Sequence, residues 1–168
     1  MSDINLELWT NCENGKTIVV KRLLTEHVFN THALASALCD ASREGHAECI
    51  ALLLSYLPAD DNVGAHGLSA SLNNASLRGH IACVRLLLPH TDATYDSSLA
   101  FRRACNNKHV EIMDLLYPYS DAQDALKHMI KHDIPHEFLQ EYLAHKERDH
   151  IQEHLGDISG GTPKARKI

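Results

Sequence analysis

Histidine is the residue of this chain best equipped for chemistry. Thirteen of the 168 residues are histidines, and imidazole both ligates metals and exchanges protons near neutral pH. Three pairs, His128/His132, His132/His136 and His150/His154, stand four positions apart. On a helix that spacing puts both rings on one face, able to share an ion. Pro135 breaks the helix between His132 and His136, and the sequence assures no third ligand beside any pair. A metal- or pH-responsive regulator is therefore the alternative reading, and no metal and no cofactor are expected. The segment His136-Glu137-Phe138-Leu139-Gln140 begins like the zinc-protease His-Glu-x-x-His but has Gln140 where the second histidine must stand. The glycines of 156–161 follow no strand and precede no Gly-Lys-Ser/Thr, so they cradle no phosphate, and no Gly-x-Ser-x-Gly elbow is present. No catalytic residue is assigned, and the chain is not expected to be an enzyme.

Cysteines 12, 39, 49, 83 and 105 are odd in number and cannot all pair. They read as small buried hydrophobes of a reducing compartment, which places the chain in a cytoplasm, bacterial or that of a host. The formal charge is −6, which argues against general nucleic-acid binding and suits a basic protein partner. No stretch approaches a membrane span, and the start, Met-Ser-Asp-Ile-Asn, lacks the basic and apolar parts of a signal peptide. Residues 156–168 are glycine-rich and then basic, and read as a flexible tail after a domain of residues 1–155.

The elements that must position these side chains repeat. Residues 41–54, 75–88 and 104–117 carry the same text, from Ala41-Ser42-Arg43-Glu44-Gly45-His46 through Leu52-Leu53-Leu54 in the first of them. Gly15, Gly45, Gly79, Lys108 and Asp133 mark one turn in five copies, 25 to 34 residues apart. Seven positions before each stand Leu8, Leu38, Leu72, Phe101 and Leu126. Four before stand Asn11, Ala41, Ala75, Ala104 and Met129. Eight after the first four stand Leu23, Leu53, Leu87 and Leu116. Each copy reads as two short helices, the first spanning about 38–44 in the second copy, with Gly45 ending it and Cys49, Ile50, Leu52 and Leu53 striping the second. Neither helix can bury its stripe alone, so the copies must stack, with alanine at 41, 75 and 104 permitting close approach. Pro135 reads as the first residue of a long amphipathic helix to Leu155 that turns Phe138, Leu139, Tyr142 and Leu143 inward and closes the stack.

The pattern Gly45-His46-x-Glu48-x-Ile50-x-Leu52-Leu53-Leu54, with Leu38 and Ala41 before it, and Leu72, Ala75, Gly79, His80, Val84 and Leu86 to Leu88 in the next copy, resembles the ankyrin repeat. The likeness covers roughly residues 5–145 and is closest to the divergent repeats of bacterial and viral proteins. The family's Thr-Pro-Leu-His opening is degraded in every copy, as in Ser36-Ala37-Leu38-Cys39. The resemblance implies an all-α solenoid of about five helix-turn-helix copies with a long C-terminal capping helix. It also implies that His46, His80 and His109 are structural and hydrogen-bond neighbouring loops.

The resemblance further implies partner contacts at two sets of positions. At the ends of the first helices stand Glu13 and Asn14, Arg43 and Glu44, Leu77 and Arg78, Asn106 and Asn107, Lys131 and His132. On the loop tips stand Asp60, Asp61 and His66, then His90, Asp92, Tyr95 and Asp96, then Tyr119, Asp121 and Asp124. Aspartates at three successive projections would form an acidic rim with Tyr95 and Tyr119 as anchors. Aspartate also caps helices and turns, a role open to Asp96 and Asp121. The expected function is a monomeric protein-binding module that blocks or modulates a partner, for example as a bacterial immunity protein. A secreted effector adaptor acting on host proteins is the other setting.

Overall fold

The computed structural model describes residues 3–58 and 62–159. It is all-α, with no strand among the described residues. The helices are α1 (Asp3–Glu13), α2 (Thr17–Glu26), α3 (Thr31–Glu44), α4 (Ala47–Leu54), α5 (Asn62–Arg78), α6 (Ile81–Leu87), α7 (Tyr95–Asn106), α8 (Val110–Leu116), α9 (Ala122–Lys131) and α10 (Glu137–Ser159). None of the described helices is long and apolar enough to cross a membrane.

Five turns of one design organise these helices. Gly15, Gly45, Gly79, Lys108 and Asp133 all have φ between 53° and 85°. After each, the next amide donates back to the carbonyl four residues before the turn residue: Lys16 to Asn11, His46 to Ala41, His80 to Ala75, His109 to Ala104 and Ile134 to Met129, every one at 2.9 Å. This is the six-to-one bond that closes a helix through a left-handed residue, and it satisfies a carbonyl the helix would otherwise leave orphaned. The spacing read from the sequence is therefore the spacing of a hydrogen bond.

Contacts run along two rows. The first helices touch in the order α1, α3, α5, α7, α9, the second helices in the order α2, α4, α6, α8, and each first helix also packs on its own partner. The positions that recur around the turns are the floor of this row. Leu8, Leu38, Leu72 and Phe101 are fully buried, as are Ala41, Ala75 and Ala104, and Leu23, Leu53, Leu87 and Leu116. The position three before the turn is also small and enclosed, filled by Cys12, Ser42, Ser76 and Cys105. In two of those four the enclosed group is a hydroxyl, and Ser42 Oγ and Ser76 Oγ find no hydrogen-bond partner. Leu126 in the fifth copy is only half-buried, packed against the end of the core.

The first helices start earlier than the sequence pattern suggests. α3 begins at Thr31, where the Asn30 side chain caps the amide of Ala33 at 2.8 Å. α5 begins at Asn62 and runs for 17 residues. It lies against α3 more extensively than any other pair in the row, because Gly67 lets the backbones meet: a Cβ there would fall 2.5 Å from Ala35 Cβ. His66, expected on a loop tip, is consequently on a helix, and Tyr95 and Asp96 open α7 rather than precede it.

The closing helix also differs at both ends. It starts at Glu137, two residues beyond Pro135, and continues to Ser159, past the expected boundary at residue 155. Residues 160–168 of the expected tail lie outside the described residues. Leu139 and Leu143 are buried as expected, and Phe101, Tyr117 and Tyr142 form a cluster with ring centroids 6.0–6.4 Å apart. The Tyr142 hydroxyl donates to Asp114 Oδ1 at 2.8 Å, and Lys146 Nζ reaches the same oxygen at 2.7 Å.

Candidate interaction surfaces

One edge of the row carries the turns. The Nε2–H of His46 donates to the carbonyl of Glu13 at 2.9 Å, that of His80 to Arg43 at 3.1 Å, and that of His109 to Leu77 at 3.2 Å. Each acceptor lies two residues before a turn glycine, so each imidazole ties one turn to the one before it. The ring lies flat over the glycine it passes. A Cβ at Gly15 would sit 2.5 Å from His46, at Gly45 2.7 Å from His80 and at Gly79 2.8 Å from His109. Glycine is required twice over here, by the backbone and by the ring. The three histidines thus do the structural work expected of them.

Three of the first-helix end residues expected to face a partner are engaged with one another. Arg43 reaches Glu13 at 3.1 Å, Asp40 at 3.1 Å and Glu44 at 3.0 Å. The hydrogen bond with Arg43 holds the Glu44 carboxyl below its ordinary value. Asp40 is pushed the other way, because burial outweighs its arginine neighbour. Asn14 and Asn107 fold back on the carbonyls of Thr10 and Arg103. Asn106, Arg78, Lys131 and His132 are exposed, while Leu77 is half-buried. The link from Glu13 to Arg43 across two copies was invisible in the sequence, since it needs the 30-residue register and the helix ends in space.

The opposite edge carries the connections between pairs. Asp60 and Asp61 lie outside the described residues. His90 is exposed on a single 3-10 turn at Leu88–His90. The other aspartates do local work. Asp92 accepts from the amide of Thr94 at 2.9 Å and from its hydroxyl at 2.6 Å, and the hydroxyl first and the amide second hold its carboxyl below the ordinary value. Asp121 caps α9 by accepting from the amide of Asp124 at 2.8 Å. Asp96 caps nothing: it sits at φ 49° in the first turn of α7 and faces the largely buried Arg102 at 3.8 Å. Around these turns the aromatic rings are different. Tyr56, Tyr95 and Tyr119 are 44%, 47% and 59% exposed. Tyr95 meets the ring of His66 edge-on at 6.2 Å. Tyr119 and Asp121 line one groove with Thr94, and Tyr56 lines another with Val28 and Phe29. Tyr56 escaped the sequence reading because nothing beside it but Leu57-Pro58 marks a projection.

The reactive side chains are muted. Burial raises the thiols of Cys12 to about 12 and of Cys83 and Cys105 to about 11, so they stay protonated at neutral pH. The rings of His128 and His132 meet at a tilt of 38° with centroids 4.5 Å apart, and desolvation, then Arg102 and His132, lower the His128 imidazole. Among the described residues no three histidine, cysteine or carboxylate side chains converge as metal ligands would. Compared with protein-family models, curated proteins and solved structures, the chain matches none.

Proposed function

We propose that the chain is an ankyrin-type solenoid that binds a partner protein along the edge where one helical pair passes to the next. The observation that carries this reading is the sorting of aromatics. Of the nine in the chain, the three that remain exposed are Tyr56, Tyr95 and Tyr119: Tyr56 and Tyr119 stand on connections, and Tyr95 is the first residue of α7, directly after the connection between theirs. Tyrosine offers a large, stiff contact area with a polar tip and is over-represented among residues that dominate binding energy. Asp92, Asp96 and Asp121 stand among these rings, and the chain's formal charge is −6. Both features steer a basic partner. The turn histidines support the likeness to ankyrin repeats, and the stacked pairs leave a long edge for docking. In this reading the chain acts in a cytoplasm, as a blocker of a basic target or as an adaptor, and no reaction is part of it.

Affinity capture with mass spectrometry identifies the partner, and calorimetry on the purified pair then tests the edge. Tyr95→Ala with Tyr119→Ala weakens binding by roughly tenfold or more, and Asp92→Lys with Asp96→Lys weakens it further at low salt. Unaltered affinity in both, with helical content preserved, would sink the reading. A partner whose own activity stops on binding identifies a blocker, and one that stays active while joined to a third protein identifies an adaptor.

A further inference from the structure

The turn edge has a notch at its C-terminal end. In the three glycine turns the next copy supplies a histidine that lies over the glycine and takes the carbonyl two residues earlier. At the fourth turn the equivalent carbonyl is that of Asn106, and the slot that would send an imidazole to it holds Ile134. The chain then breaks at Pro135 and enters α10, and a groove of about 580 Å³ opens beside this turn between Asn106, Lys108, Pro135, Glu137, Phe138 and Glu141.

The chemistry of this groove is that of a cation seat. Glu137 and Glu141 are four apart on α10, hence on one face, and both are exposed. The amides of Glu137 and then His136 lower the Glu137 carboxyl, so it is ionised at neutral pH. Phe138 lines the same groove, and a cation already occupies its ring face: Lys108 Nζ stands 5.8 Å from the centroid. Lys108 is the residue that replaces the turn glycine and holds a left-handed backbone at φ 58°. Its ammonium is an internal stand-in for a cation that would come from outside.

We propose that this notch is a docking seat for an arginine side chain carried on a basic segment of another protein, with Phe138 under the guanidinium and Glu137 and Glu141 beside it. Guanidinium stacks on aromatic faces and pairs with carboxylates in a planar fork, and it is less strongly hydrated than ammonium, so it displaces Lys108 more readily than a lysine would. The proposal shares with the protein-binding reading only that the cation arrives on a protein. The notch and the tyrosine edge are at opposite ends of α7, about 18 Å apart at 1.5 Å per residue, so either can fail alone.

The test uses the full chain, isotope-labelled, titrated with a blocked glycine pentapeptide bearing one central arginine, followed by amide chemical shifts. Shifts are expected at residues 105–108 and 135–141. Glu137→Gln with Glu141→Gln, which keeps one acceptor oxygen on each side chain and removes the charge, weakens association roughly fivefold. The control Glu7→Gln with Glu111→Gln removes the same charge elsewhere and changes it less than twofold. Lys108→Gly tightens association more than Lys16→Ala does, because it vacates the ring as well as removing a charge. Absence of shifts at the notch at millimolar peptide, equal losses in the two double variants, or equal gains in the two lysine variants would each overturn the proposal. Loss of partner binding on tyrosine substitution with these shifts intact would leave the notch standing, and the converse would leave the edge standing.

Discussion

The first three turns and the last two have the same backbone and different means of holding it. At Gly15, Gly45 and Gly79 the left-handed conformation costs little, and an imidazole from the next copy lies over the glycine and bonds the preceding turn. At Lys108 and Asp133 the same six-to-one bond forms at the same 2.9 Å, but on residues that carry a Cβ and with no histidine overhead. There the copies are held from outside, by α10 through its tyrosine, its lysine and Asp114. A stack can therefore be secured turn by turn from within, or by one helix laid across its end. The second way comes with isoleucine, Ile134, in the slot that holds a histidine in the three earlier pairs of turns.

The comparison can be broken at the glycine turns. Gly45→Ala should cost the most, roughly 2–4 kcal/mol by denaturant unfolding, from left-handed strain together with the clash against His80. A loss below half of that would mean that the ring moves aside and is no lock. Ala75→Leu tests the row itself. That alanine is fully buried between copies, and overpacking there should cost about 1–3 kcal/mol. A neutral melting result would mean that the copies are not in the register described.

The C-terminal half of the comparison predicts smaller effects. Burial alone would raise the Asp114 carboxyl, but hydrogen bonds from Lys146 and Tyr142 bring it below the ordinary value. A lowered folded value makes the contribution complete above the unfolded carboxylate range, near 3.9, and lost as pH falls through the folded value. Asp114→Asn should cost about 1 kcal/mol at neutral pH, since the group is partly exposed. The gap between variant and parent should close as the pH falls through the lowered folded value, read by hydrogen exchange of α10 amides. A gap independent of pH would remove the carboxylate from the account. Lys108→Gly should stabilise by about 0.5–1 kcal/mol, by relieving the left-handed backbone against a small loss of unfolded-state restriction. A destabilised variant would show that the Lys108–Phe138 contact outweighs the strain.

Much of the turn edge was legible beforehand. A left-handed turn residue, a small residue four before it and a leucine eight after it recur because one closing bond and one layer of core demand them, and sequence spacing reports such local constraints directly. The loop edge was less legible. Asp96 and Asp121 could be read as an acidic rim or as caps, and the choice depended on whether an amide lay within hydrogen-bond reach, as it does for Asp121 and not for Asp96. The starts of α3 and α5 were missed because they extend where Gly67 meets Ala35, a contact between helices 32 residues apart in the chain.

What the chain settled alone is the repeating unit: two helices, a left-handed turn between them and one apolar stripe on each, since these follow from backbone sterics and helical period within a few residues. What needed three dimensions is which polar groups are already engaged and which remain free. Arg43 is engaged with Glu13 and Glu44, Tyr56 is exposed, and a groove opens between the fourth turn and the start of α10. Those outcomes depend on distances between copies, and distance between copies is set by how the stripes pack.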